Sequence, residues 1–395
     1  MHTYRVLETS GNKVLAQSLD RVEPIWLDLG GRTKLVENEV VVVETVGSDS
    51  KPSPTETPIQ CVLMASRVDP NYIGGPAPQL ISHGDDDSEF VESLDSSGHD
   101  RFDVALEWME CGESTKASKA IRALLKQFPY HIDLYHHLGL IEQRLNRRDR
   151  ALKYFEMGYR IGLLSLPKDF SEKLRWGFLK NRPFLRAAHG YGLALEGKGR
   201  VLEAAEVYQR ILSLNPDDNQ GIRYLLPSLY IAAKATYKAR SILQDNYVDS
   251  MNVFSRSLLE ILDGYYLEAL RWFCRGLAYN IHFPSVALAD IDRTPNDSRV
   301  GVSMGSPDEV SEYLAYNKTW RIASAQGFLR RAIQCKPIAE RIAKALSLDT
   351  QLAERNNPDI SDRSTLIDER YAIFNDKDIA AFMPELRECF LTFLS

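Results

Sequence analysis

Over the first sixty-odd residues, short apolar and β-branched runs bounded by turn residues read as strands. Residues 4–9 and 13–18 flank Ser10-Gly11-Asn12, which reads as a hairpin turn, and residues 25–27, 40–43 and 60–68 are further strand segments. Gly30-Gly31 and Gly74-Gly75-Pro76 punctuate them, and residues 47–58, with three prolines, read as a loop. The pattern predicts a small β-rich segment with loops over 1–81, of a size that makes only a marginal core. Residues 82–100 then carry seven acidic side chains (Asp85, Asp86, Asp87, Glu89, Glu92, Asp95 and Asp100) and no Lys or Arg. That composition predicts an acidic, disordered tether.

From Arg101 the apolar spacing turns helical and stays so almost to the end. A two-helix unit recurs, with small residues where paired helices approach closest and a bulky one nearby. With Pro129 as its end marker, the first unit has Ala105, Ala117 and Ile121 at these sites. A step of 34 residues gives Leu138-Gly139, Ala151, Phe155 and Gly158. The third unit, fixed by Pro216, has Tyr191-Gly192, Ala204 and Tyr208. This pattern resembles the tetratricopeptide repeat (TPR). Gly139 and Gly192 lie 53 residues apart, so an insert near 166–184 intervenes, with a short helix expected over 170–179. A fourth unit from 221 carries Pro227 inside its first helix, which should kink it, and Ala239 and Ile242 in its second. A fifth, from 254 to 282, has Ala269, Phe273 and Gly276 at the matched sites. The fold class expected is mainly α: a TPR-like α-solenoid with a small N-terminal β-rich segment, repeats over 101–283 and irregular helices over 284–395. Within that last part Ser306-Pro307-Asp308-Glu309 is a capping box, and helices are expected over 308–316, 319–334, 338–348 and 377–393, the last interrupted at Pro384. Such helices can cover the open apolar end of a solenoid.

In a TPR array the first helix of each unit lines a concave groove. The residues placed there are His136, Gln143 and Arg144 from the second unit, Arg186 and His189 from the third, and Asn219, Gln220, Arg223 and Tyr224 from the fourth. This wall is cationic and amide-rich, suited to a peptide backbone or a carboxylate. Asn219 also reads as a helix cap. The carboxylate clamp of chaperone-binding TPR domains needs Lys and Asn at two inner positions. Those positions hold Phe102 and Leu106, His136 and Leu140, and His189 and Leu193, so the clamp is absent.

A narrower likeness rests on Trp176-Gly177-Phe178-Leu179-Lys180-Asn181-Arg182-Pro183, on Asn215-Pro216-Asp217-Asp218-Asn219-Gln220-Gly221-Ile222-Arg223-Tyr224, on Tyr279-Asn280-Ile281-His282-Phe283-Pro284 and on residues 306–320. These stretches resemble little-characterised bacterial TPR proteins and, distantly, the suppressor-of-tumorigenicity-7 type. The resemblance implies a helical scaffold and brings no catalytic residues.

Charge and chemistry narrow the functional classes. The net charge is −6 with a pI near 5.8, although Arg144, Arg147, Arg148, Arg150 and Lys153 form a basic cluster. These read as solvated turn residues; a nucleic-acid partner is unlikely without a basic stripe and stacking aromatics. A weak, salt-sensitive contact of the acidic tether with this cluster or with the groove is the other possibility. No apolar run is long enough for a membrane span, and no secretory signal opens the chain. The five cysteines stand singly, which suits a cytoplasmic location and argues against a zinc site or disulfide framework. His131, His136 and His137 lack metal-ligand spacing, the glycine pairs are too sparse for a phosphate loop and no GxSxG occurs. No catalytic residue, metal or cofactor is expected. The reading is an adaptor that binds a protein or peptide partner; the alternatives are an enzyme or modifying activity in the N-terminal segment for which the repeats recruit substrate, and an RNA-associated TPR protein.

Overall fold

The strand pattern closes on itself. In the computed structural model, which describes residues 1–18, 23–31, 33–46, 58–91, 93–244, 250–289, 303–354 and 360–392, five strands form a barrel. They are β1 (His2–Ser10), β2 (Lys13–Ser18), β3 (Pro24–Asp28), β4 (Val40–Thr45) and β5 (Ile59–Arg67), in the order β1-β2-β3-β5-β4. Gly11 turns the β1–β2 hairpin at φ +65°, a conformation open to glycine without a Cβ clash. The parallel pairing of Leu27 with Ile59 and Asp28 with Gln60 closes the ring, so no strand edge stays open. Alternate side chains (Tyr4 and Val6, Val14 and Ala16, Ile25 and Leu27, Val41 and Val43) fill the interior.

The acidic stretch is ordered where a disordered tether is expected. β6 (Leu80–Gly84) and β7 (Asp87–Phe90) form a hairpin whose turn residues Asp85 and Asp86 both take left-handed φ, +50° and +61°. Short acidic side chains tolerate that geometry, so they serve the turn rather than repel it. The insert near 166–184 holds β7 in place. Its segment 170–178 is irregular rather than helical, made of turns and bends, and Lys173 bridges to Asp87. Arg175 binds Asp87 at 2.8 Å and Asp217 at 3.0 Å, and the buried Asn181 donates to Ser88 O at 2.8 Å and accepts from Phe90 N at 3.1 Å. Asp95 caps the helix that follows, accepting from Gly98 N at 2.6 Å. The contact anticipated between tether and basic cluster gives way to these bonds for Asp87 and Asp95.

Three helix pairs follow: α1 (Ser96–Glu110) with α2 (Ser114–Gln127), α3 (Ile132–Arg144) with α4 (Arg148–Leu164), and α5 (Arg182–Glu196) with α6 (Val201–Leu214). The small residues lie where the repeat needs them. A Cβ on Gly139 would stand 2.6 Å from the Phe155 ring, and one on Gly192 2.2 Å from the Tyr208 ring. Ala105, Ala117, Ala151 and Ala204 are all buried. The TPR-like pairing is thus a property of these side chains.

The basic cluster is only in part a solvated turn: Arg144, Arg147 and Arg148 are exposed, whereas Arg150 and Lys153 turn to the barrel. Arg122 binds Glu37 at 2.8 Å and Glu142 at 3.1 Å, Lys153 binds Glu39 at 2.6 Å, and Arg150 donates to Leu35 O at 2.8 Å. Glu37 and Glu39, from the loop before β4, are buried. Asn38 donates to the Tyr135 hydroxyl at 2.7 Å, and the Tyr154 hydroxyl donates to Glu37. The barrel is therefore bonded to α2–α4, and the chain divides into compact units 1–222 and 223–395.

In the second unit, α7 (Ile222–Ala232) runs on through Pro227, followed by α8 (Thr236–Gln244), α9 (Ser250–Leu262) and α10 (Tyr266–Tyr279). Here too a glycine meets a ring: a Cβ on Gly276 would stand 2.4 Å from Phe254. α11 (Phe283–Ala287), α12 (Pro307–Tyr316), α13 (Ala323–Gln334), α14 (Lys336–Glu354), α15 (Ile360–Ala372) and α16 (Asp376–Thr392) complete it. Ser306 caps α12 as its motif indicates, accepting from Glu309 N at 3.2 Å. α11 and α15 go beyond the helices expected, and Pro384 sits inside α16.

Arg122 pairs with two carboxylates that are almost wholly buried; removing it takes the cation from Glu37, while Glu142 keeps Arg147 and Arg150. Arg122→Ala is expected to lower stability by about 3 kcal/mol, read from urea unfolding. A loss under ~1 kcal/mol, the level of an exposed pair, would show that the barrel is not held this way.

Candidate partner-binding site

The close approach of α3 and α4 and the packing of α5 beside them leave a cavity of about 450 Å³. α3 supplies His136, Leu140 and Gln143; α4 supplies Ala151 and Phe155; α5 supplies Arg186, His189 and Leu193; and Gln220 stands at one end. His136, Arg186 and His189 recur on one face of their helices because four-residue and three-residue steps return to the same side.

Five of the nine residues expected in the groove therefore come together: His136, Gln143, Arg186, His189 and Gln220. Four do not. Arg144 turns to the neighbouring pair and donates to Met109 O at 2.9 Å. Asn219 is exposed and does not line the cavity, and the cap at this helix start is Asp218, which accepts from Ile222 N at 2.7 Å. Arg223 and Tyr224 belong to the second unit. Leu140, Leu193 and Phe155, which give the cavity its apolar wall, were not assigned to the site; Leu140 and Leu193 occupy inner positions that the absent clamp would have filled with polar residues.

The polar atoms here are unusually open. Arg186 gives one nitrogen to Asp133 at 2.7 Å, and its Nε is buried without a hydrogen-bond partner. Gln220 donates to Leu185 O at 3.0 Å and reaches His189 Nδ1 at 3.4 Å, while its Oε1 is unbonded. With Nδ1 accepting, the His189 proton sits on Nε2, a buried donor without an acceptor. His136 Nδ1 is also unbonded. Buried polar atoms are nearly always hydrogen-bonded in folded proteins, and here four residues that line one cavity each carry a buried polar atom without a partner among the described residues.

Burial, with the neighbouring His137, pulls the His136 imidazole down to about 3, and burial lowers that of His189 as well. Both rings are neutral at pH 7 and each offers one donor and one acceptor. Asp133 offsets the charge of Arg186. Arg148 and Lys198 also line the cavity, so neutral imidazoles and amides stand beside cations there. Among the described residues no group of His, Cys, Asp and Glu is arranged to hold a metal ion.

Fold and site together define a helical-repeat protein of TPR type, with a β-barrel fused to its first repeats and a polar cavity between the first helices of two of them. The chain belongs to the family described as transcriptional repressor TCF25, whose model matches residues 97–365. That family is neither of the two narrower likenesses read from the motifs, and only their TPR-like character stands. None of the curated proteins matches the chain in sequence. Among solved structures it is similar to a tetratricopeptide repeat protein from Parabacteroides merdae ATCC 43184, at 14% identity and a TM-score of 0.40, over 75% of this chain and 100% of that one. It is also similar to the structure of Naa15/Naa10 bound to HypK-THB, at 14% identity and a TM-score of 0.32, over 70% of this chain and 39% of that one. No described helix is long and apolar enough to cross a membrane.

The depressed His136 value carries a pH consequence. The folded ring resists protonation while the unfolded one accepts a proton near 6.5, so stability is full above about pH 6.5 and falls as the pH drops toward 3. At pH 4.5 the loss through His136 is on the order of 2–3 kcal/mol. Urea midpoints at pH 7 and 4.5 should separate less in His136→Gln than in the parent chain; equal separations would assign the acid sensitivity elsewhere.

Proposed function

We propose that the chain is a protein-interaction scaffold that takes an extended segment of a polypeptide partner into the cavity between α3 and α5. The observation that carries this reading is the set of four unbonded polar atoms, on His136, Arg186, His189 and Gln220, beside the apolar wall of Leu140, Phe155 and Leu193. A peptide backbone alternates N–H donors and carbonyl acceptors with side chains, and neutral imidazoles and amides answer both. The family description, a transcriptional repressor, fits a scaffold that works by joining other proteins. It also removes the ground on which the acidic pI set nucleic acid aside, so nucleic acid belongs among the components such a scaffold could gather. A location in the cytoplasm or the nucleus agrees with the free cysteines and with that description. The alternative, an activity in the N-terminal segment, draws no support from a barrel interior filled with apolar side chains.

A photo-crosslinking residue placed at Leu193 in cells is expected to yield polypeptide adducts, absent when the same residue is placed at the exposed Lys168. Adding His136→Ala, Arg186→Ala and His189→Ala should cut those adducts at least tenfold while the helical circular dichroism persists. Adducts no more frequent at Leu193 than at Lys168 would remove the cavity as the binding site.

A further inference from the structure

A second cavity of the first unit, about 530 Å³, opens between the barrel and the turn before α4. Lys34, Arg122, Arg147, Arg148 and Arg150 line it, and Asp149 is the one carboxylate among the lining residues. The charges do not balance. Arg122 takes Glu37 and Glu142; Arg150 and Arg147 turn to the same Glu142, at 3.3 and 3.5 Å. Lys34 pairs with Asp149 at 2.5 Å, and Lys198 takes the other oxygen of that carboxylate. Six cations, counting Arg148, thus share three carboxylates, and Arg148 has no ion-pair or hydrogen-bond partner among the described residues.

Two further features face the same way. The 17-residue α4 begins here with no side-chain cap and with Asp149 in its first turn, and the positive end of its dipole favours an anion. On the barrel side, Thr33 Oγ1 is buried without a hydrogen-bond partner. Unbalanced like charge in a concave site is relieved by an anion rich in acceptor oxygens, and guanidinium forks match phosphate oxygens.

We infer that this cleft binds a compact polyphosphate, as free pyrophosphate or as the diphosphate of a nucleotide. The volume suits a small ligand. No aromatic side chain lines the cleft to stack a base, and the cations surround one hollow instead of tracking a strand, which disfavours a single-stranded nucleic acid. Recognition by charge alone makes the base of a nucleotide irrelevant.

Titration of the full chain with sodium pyrophosphate, followed by isothermal calorimetry and by the melting midpoint, tests this. One saturable site is expected, absent with sodium chloride at matched ionic strength, and ADP should bind within about threefold of pyrophosphate. Lys34→Ala with Arg148→Ala, both solvent-facing and expected to leave circular dichroism unchanged, should weaken pyrophosphate at least tenfold; Lys168→Ala should not. ADP binding more than tenfold tighter than pyrophosphate would mean that the base is read. The inference is overturned if pyrophosphate acts only as ionic strength, if the double variant binds it unchanged, if Lys168→Ala weakens it as much, or if a single-stranded oligonucleotide binds more than tenfold tighter.

Discussion

The structure depends on how closely two helices can approach. Helix axes draw together only where one of them lacks a side chain, and the space freed must be refilled, because protein interiors are packed to crystal density. Here an aromatic ring refills it: Phe155 lies over Gly139 and Gly190, Tyr208 over Gly192 and Phe184 over Gly162. Phe155 thus touches glycines on both α3 and α5, and sets the spacing of the two helices that wall the cavity. The ring that closes the core is also part of the apolar wall.

Charge performs the complementary task at the other face of the same helices. Glu37 and Glu39 could not be buried alone, since the cost of desolvating a carboxylate far exceeds what packing returns. Arg122, Arg150 and Lys153 meet them and bind the barrel to α2–α4. The arrangement makes a small barrel, marginal by itself, part of a larger unit. It also leaves cations to spare near the start of α4, where the bonds to Glu142 are already shared three ways.

Periodic features are legible in the chain, and long-range partnerships are not. Short apolar runs bounded by turn residues expose the five barrel strands, and Gly139 with Ala151 and Gly192 with Ala204 recur at matched sites because the repeat demands small residues there. The fate of Asp85 to Asp95 cannot be read from composition: acidic residues in a tether and in a hairpin look alike until Arg175 and Asn181, some ninety residues later, are seen to hold β7. The basic run was equally opaque, because Glu37 and Glu39 stand more than a hundred positions from Arg150 and Lys153. In the groove, helical spacing brings His136, Arg186 and His189 to one cavity. It fails at Arg144, whose long side chain reaches a carbonyl of the neighbouring pair, and at Arg223 and Tyr224, which belong to another compact unit.

Replacing Gly192 by alanine tests the close-approach account most directly, because two principles predict opposite signs. Helix propensity alone favours alanine in a helix interior by roughly 0.5–1 kcal/mol. The Tyr208 ring, which a new Cβ would meet at 2.2 Å, should instead make Gly192→Ala destabilising by about 1–3 kcal/mol in urea unfolding, with partial recovery on adding Tyr208→Leu. A variant as stable as the parent, or more so, would contradict it.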